Sequence, residues 1–191
     1  MTLERPRKSE RERMLGGELY DAADPELATA RLRARRLLQA FNAAQPHDDD
    51  ARAAALAELL GAFGARVRIE PPFRCDYGSH LFIGDDVYFN FNAVVLDCAP
   101  ITIGDRVLVG PNVQLLAATH PLDATTRRTG RELAFPVTIG SDAWLGAGVI
   151  VCPNVEIGER SVIGAGSVVV RDVPSDVFAA GNPCRVIRAL T

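Results

Sequence analysis

Three histidines occur in the chain, His47, His80 and His120. Imidazole is the side chain whose ordinary titration range suits proton transfer near neutral pH. His120 stands in Ala118-Thr119-His120-Pro121, just ahead of a polar stretch from Asp123 to Glu132. This segment interrupts an otherwise regular pattern, and loops on rigid scaffolds tend to carry function. A base placed there could take the proton of a hydroxyl, a poor nucleophile at neutral pH, as that hydroxyl attacks a carbonyl. His47 and His80 read as surface or hydrogen-bonded residues. The cysteines Cys75, Cys98, Cys152 and Cys184 form no CxxC pair. They have no evident catalytic partner and read as reduced thiols in core or surface positions.

The pattern that His120 interrupts has a period of six. Ile139, Leu145, Val151, Ile157, Ile163 and Val169 follow one another at six-residue steps, as do Ile103, Val109, Leu115 and, earlier, Ile83, Phe89, Val95. A gap of 24 residues separates Leu115 from Ile139. Six residues of α-helix turn through about 600° and leave successive positions about 120° apart, so no helical face carries such a period. A small or β-branched residue stands two before most of these positions, as in Ala143–Leu145, Val149–Val151, Val155–Ile157, Ser161–Ile163 and Ser167–Val169. Residues two apart on a strand share a face, so each pair is expected to point inward. Between pairs lie turn residues such as Gly146-Ala147-Gly148, Cys152-Pro153-Asn154 and Gly164-Ala165-Gly166. Gly and Asn permit the left-handed backbone that tight corners require. Short strands joined by tight corners predict a solenoid of parallel β coils.

Before about residue 64 the composition shifts to Ala, Leu, Arg and Glu. Asp24-Pro25 reads as an N-cap and first helical position. Leu27, Ala30, Ala34, Leu38 and Phe41 then recur at helical spacing. His47-Asp48-Asp49-Asp50 breaks that helix and opens another, with Leu56, Leu59, Leu60 and Phe63 as its stripe. Two such helices cannot bury their stripes alone and are expected to pack on the coils. The organisation expected is a leader at 1–13, solvated or frayed, a helical cap at 14–65, and the coils at 66–191 with an inserted loop at about 116–136. A net charge of −3 argues against a nucleic-acid protein. No apolar run reaches the roughly 18 residues of a membrane span, and the N-terminus lacks a signal-peptide core. A cytoplasmic protein without nucleic-acid or membrane partners is expected.

The six-residue repeat resembles the hexapeptide-repeat proteins, in which three hexapeptides make each coil of a triangular left-handed β-helix. Further blocks resemble one branch of them, the maltose and galactoside O-acetyltransferases. These are Met14-Leu15-Gly16-Gly17-Glu18-Leu19-Tyr20, Asp24-Pro25-Glu26-Leu27, Phe73-Arg74-Cys75-Asp76-Tyr77-Gly78, Asn90-Phe91-Asn92, Ala118-Thr119-His120-Pro121, Pro136-Val137-Thr138-Ile139-Gly140 and Ala180-Gly181-Asn182-Pro183. The resemblance covers about residues 14 to 190. It implies a mainly β fold, a left-handed parallel β-helix with a small N-terminal helical cap. It implies acetyl transfer from acetyl-CoA to a sugar hydroxyl by direct attack, without an acetyl-enzyme or a metal, and with His120 as general base. It also implies a homotrimer with active sites between subunits.

Matched position by position, the resemblance places Asp76, Asn90 and Asp97 at the acceptor. Carboxylates and amides suit a polyol because they exchange several hydroxyl hydrogen bonds. It places Asn90, Trp144, Ala147, Ala165, Arg171, Arg185 and Arg188 along the cofactor, the arginines near its phosphates. Trp144 lies between the inward residues Ala143 and Leu145, so it should point outward, as a subunit contact or as a wall for the cofactor arm. Cys98 and Ala22 stand where the galactoside enzymes carry carboxylates, which tilts the expected acceptor toward maltose or glucose. Three readings compete with this one: the same reaction on a non-sugar acceptor, a non-catalytic CoA-binding or scaffold β-helix, and a zinc enzyme. The last requires three protein ligands, and only His80 and His120 fall within the repeats.

Overall fold

Each six-residue step forms one side of a triangle. The computed structural model describes residues 8–190. In it the coils stack three parallel sheets, one per side. The first face holds Ala62–Phe63, Leu81–Ile83, Ile101–Ile103, Val137–Ile139 and Val155–Ile157. The second holds Arg68–Ile69, Tyr88–Phe89, Leu108–Val109, Trp144–Leu145, Val162–Ile163 and Val177–Ala180. The third holds Arg74–Cys75, Val94–Leu96, Gln114–Leu116, Ile150–Val151 and Val168–Val169. The six-residue register is strict: Ile83, Ile103, Ile139 and Ile157 pair in succession on one face, and Val95, Leu115, Val151 and Val169 on another. All the inward pairs expected from the sequence are buried. The two inward serines are satisfied: Ser161 donates to the Pro174 carbonyl and Ser167 to that of Gly164.

The corners depart from the glycine-and-asparagine expectation in one column. Between the first and second faces, Arg66, Asp86, Arg106, Asp142, Arg160 and Asp176 all adopt φ between 55° and 61°. Their charges alternate along the stack. Arg106 donates twice to Asp142 at 2.7 and 2.8 Å, and Arg160 twice to Asp176 at 2.6 and 2.8 Å. Arg66 and Asp86 make a third such pair. The bidentate geometry acts between coils, and coil register is what it specifies.

The helices close the open end of the solenoid. α1 (Glu10–Leu15) starts with a capping box made by Ser9 and Glu12 and buries Met14. The expected leader is therefore helical from Glu10 onward, and residues 1–7 lie outside the described residues. α2 (Pro25–Ala43) is capped by Asp24, whose side chain accepts from the Glu26 N–H, and buries Leu27, Ala34, Leu38 and Phe41. α3 (Asp49–Leu59) is capped by Asp48 and buries Leu56 and Leu59. The first coil strand, Ala62–Phe63, begins a little ahead of residue 66. At the far end the chain turns back, and Arg185–Ala189 pairs antiparallel to Val177–Ala180. No helix among the described residues is long and apolar enough to cross a membrane.

The inserted segment leaves the third coil after Leu116. It runs through Ala118–Thr119, a short helix α4 (Ala124–Arg127) and Arg131–Ala134, then rejoins the first face. Ala118–Thr119 and Arg131–Ala134 pair antiparallel, and the latter also pairs with Tyr20–Asp21 from the front end. This three-stranded arm ties the cap to the solenoid.

Candidate active site

The residues picked out by sequence fall on two edges of the third face. The arm rises from one edge, where that face turns into the first. Here Asp97 is completely buried. One of its carboxylate oxygens accepts from the N–H of Asp76 at 3.1 Å and of Tyr77 at 2.8 Å, and the other from the N–H of His80 at 3.2 Å. His80 is buried as well, with Nδ1 2.8 Å from the Asp97 carbonyl oxygen and its ring against Tyr77. Asp97 was expected to bind the acceptor. With no exposed surface and both oxygens occupied, it instead shapes the turn that presents Asp76.

Asp76 itself is half-buried, and the Cys98 thiol donates to its Oδ2 at 3.4 Å. Burial pushes the Asp76 carboxyl above the usual carboxylate range, against the pull of Cys98, Arg31 and Arg35. Burial also raises the Cys98 thiol, which argues against a nucleophilic thiolate. Around this carboxyl stand residues that sequence reasoning did not single out. The Tyr20 hydroxyl donates to Glu132 Oε2 at 2.9 Å, across the pairing of their two strands. Arg31 on α2 donates to the Tyr77 hydroxyl at 2.7 Å and to the Ala22 carbonyl at 2.5 Å. Burial, ahead of the opposing Arg31, pushes the Tyr77 phenol up to about 12. Tyr20 and Glu132 each lay inside segments visible in the sequence, the cap motif and the polar stretch. Nothing local said that the two would meet.

His120 follows the strand Ala118–Thr119 on the same arm and is exposed. Thr119 pairs with Leu133, so the next step of the antiparallel register sets His120 opposite Glu132. The loop after it is held by Arg127, which donates to the carbonyls of Pro121 and Leu122 at 3.0 Å each. Asp123 caps α4.

The other edge, where the second face turns into the third, is a column of corners: Asn90-Phe91-Asn92, Gly110-Pro111-Asn112, Gly146-Ala147-Gly148 and Gly164-Ala165-Gly166. Asn90 Oδ1 accepts from the Phe91 N–H at 2.8 Å, which orients the amide and leaves its NH₂ group as a donor. The amides of Ala147 and Ala165 have no hydrogen-bond partner among the described residues, although their neighbours Gly148 and Gly166 donate to the coil before. Gly148 and Gly166 sit at φ +68° and +71°, and a Cβ on either would meet nothing within 4 Å. The corners are therefore open on their outer side, with two free N–H donors along them. Trp144 points outward as expected and is 52% exposed. Arg185 and Arg188 are exposed on the terminal strand of the second face, while Arg171 is exposed six residues beyond Ala165, at the arm edge.

Six extended residues span about 20 Å. A single protomer thus gathers His120, Asp76 and Arg171 along one edge and Asn90, Trp144, Ala147, Ala165, Arg185 and Arg188 along and beside the other. It does not bring the two groups together.

Two segments of the chain match family models. Residues 13–64 match the maltose acetyltransferase hexapeptide capping motif, and residues 136–171 match the bacterial transferase hexapeptide repeats. The galactoside O-acetyltransferase of Escherichia coli is 41% identical over 179 residues, covering 94% of this chain and 88% of that protein. Among solved structures, a maltose O-acetyltransferase from Clostridium difficile superposes with a TM-score of 0.95 at 41% identity, covering 96% of this chain and 98% of that one. A hexapeptide-repeat acetyltransferase from Vibrio cholerae, solved with acetyl coenzyme A, gives a TM-score of 0.90 at 42% identity, covering 96% of this chain and all of that one. With cap, repeats and arm all matched over nearly its whole length, the chain belongs to the maltose and galactoside O-acetyltransferase branch of the hexapeptide-repeat acetyltransferases.

Proposed function

We propose that this protein transfers the acetyl group of acetyl-CoA to a hydroxyl of a small sugar such as maltose or glucose, in a site shared by two subunits of a homotrimer. The observation that carries this reading is the separation of the site residues onto two edges of one face. In a closed cyclic trimer, the arm edge of one protomer can face the open edge of the next. His120, Asp76, Cys98 and Glu132 of one subunit would then hold the acceptor against the donor bound along the other. Residues 14–65 act in this reading as a cap that shapes the acceptor side.

The open edge suits a pantetheine arm. The free amides of Ala147 and Ala165 offer donors to its carbonyls, and the absence of side chains at Gly148 and Gly166 lets it approach the backbone. Trp144 forms a wall beside it. Arg185 and Arg188 suit the nucleotide phosphates from one protomer and Arg171 from the other. Among the described residues no cluster could hold a metal, and the reaction as written uses none. His120 takes the acceptor proton as its oxygen attacks the thioester carbon. The Asn90 amide is oriented to donate to the oxyanion that forms. Collapse breaks the carbon–sulfur bond, and the proton held by His120 passes to the departing thiolate.

Subunit complementation tests the shared site. His120→Ala and Asn90→Ala damage opposite edges, so each homotrimer should release little CoA thiol from acetyl-CoA and maltose. Co-refolding the two should regain activity, because about a quarter of the interfaces in a random mixture carry both native residues. Hybrids that form and stay inactive would place the whole site within one protomer. At the cofactor itself, Arg185→Ala should raise the KM for acetyl-CoA more than it lowers kcat, since ground-state binding is what it removes. Steady-state kinetics with saturating acceptor read this directly, and an unchanged KM removes Arg185 from the donor site.

A further inference from the structure

A groove lined by none of the residues assigned to the site lies beside the strand that leads to the acceptor corner. α2 is pinned at two points along the strand that leads to Asp76. Asn42 donates to the Phe73 carbonyl at 2.9 Å and accepts from the Phe73 N–H at 2.8 Å, while Arg31 holds the Tyr77 hydroxyl at 2.7 Å. The anchors lie eleven residues apart on the helix, about 16 Å, and four apart on the extended segment, about 13 Å. α2 therefore runs antiparallel along residues 73–77. Arg35 and Gln39 follow Arg31 at successive four-residue steps and fall on the same helix face, between the anchors. Arg74 shares the outward side of its strand with Asp76. The space left between helix and strand is a groove of about 410 Å³ lined by Arg35, Leu38, Gln39, Asn42, Ala43 and Arg74.

Neither Arg35 nor Arg74 has a carboxylate partner among the described residues, whereas Arg66, Arg106 and Arg160 are paired. Asn42 is spent on the Phe73 backbone, so the groove offers two guanidinium forks and the Gln39 amide. Arg35 also acts on Asp76 through its charge, which joins this groove to the acceptor corner.

We propose that the acceptor site extends into this groove and that Arg35 and Arg74 bind an anionic group, a carboxylate or phosphate, on the sugar unit beyond the one acetylated. The inference rests on the acetyl-transfer reading above and specifies the acceptor class as a charged disaccharide or longer chain. Two cationic forks that meet no protein anion favour an oxyanion over a neutral hydroxyl.

The test compares maltose, maltobionate and maltose 6′-phosphate as acceptors, with CoA-thiol release as the readout. The wild type should show a higher kcat/KM for at least one anionic acceptor, and that preference should shrink as salt is raised. Arg35→Ala combined with Arg74→Ala should cut the ratio of anionic to neutral kcat/KM about tenfold. Arg35→Lys combined with Arg74→Lys should recover part of it. Arg36→Ala, one residue round the same helix, should leave the ratio at its wild-type value. The carboxylate and phosphate arms, whose charges sit on opposite sugar units, tell which anion in which position is taken. Equal turnover of charged and neutral acceptors by the wild type would overturn the proposal, as would a double variant in which both fall together. Sugar acetylation would survive either result, whereas failure of all three acceptors would overturn the acetyl-transfer reading together with the groove.

Discussion

Replacing His120 with alanine should lower kcat by roughly 10²–10⁴-fold, the range expected when a general base is lost. The fold should be unaffected. His120 is exposed, and the arm that carries it is held by backbone pairing to two strands and by Arg127 rather than by the imidazole. The KM for acetyl-CoA should change little, because the residues proposed to hold the donor lie mainly on the other edge of the face. The assay is CoA-thiol release with saturating donor and acceptor, paired with a thermal melt. Turnover near the wild-type rate would remove His120 from the chemistry. A large loss of melting temperature would turn the result into one about the arm.

The second large effect is expected at Asp97 and is one of stability. Asp97→Ala leaves the N–H groups of Asp76, Tyr77 and His80 without their acceptor, the last two in buried positions. An orphaned buried donor costs about 1–3 kcal/mol, and with the Asp76 N–H only partly buried the three together should cost at least about 3 kcal/mol. For a chain of this length that corresponds to a fall in melting temperature on the order of 10 °C. Asp97→Asn keeps one acceptor oxygen and should recover part of the loss. The acceptor KM should rise in both variants, because the turn carrying Asp76 relaxes. A direct sugar ligand at Asp97 also predicts weaker acceptor binding, but with an unchanged melt. Calorimetry and acceptor kinetics on the same two variants separate the alternatives.

Much of the scaffold was legible because its signals are local and repeated. Ile139, Leu145, Val151, Ile157, Ile163 and Val169 each report the same inward position, and every one is buried. Asp24, Pro25 and Asp48 mark helix starts through bonds made within three residues. The corners were less legible. The left-handed positions held by Arg and Asp look unremarkable one at a time and acquire a reason only when successive coils set opposite charges in register. The setting of Asp97 was illegible for a related cause. A carboxylate near a site looks like a ligand in sequence, while the partners the fold gives it are backbone N–H groups seventeen to twenty-one residues away.

The site divides along the same line. The loop carrying His120 was legible from the break in the repeat, and two of the open corners from Gly-Ala-Gly recurring eighteen residues apart. The pairing of Tyr20 with Glu132, the contact of Cys98 with Asp76 and the grip of Arg31 on Tyr77 join residues 46 to 112 apart or lying in different coils, so no window of sequence contains them. By itself the sequence determined the coil, its inward residues, the helix caps and the loop that carries His120, because each depends on short-range periodicity and backbone preference. Only the tertiary structure decided which edge each candidate residue occupies, and hence that one protomer keeps the two groups of candidates apart. That assignment depends on how many coils lie between two residues and which corner each has reached, a three-dimensional count that local spacing does not contain.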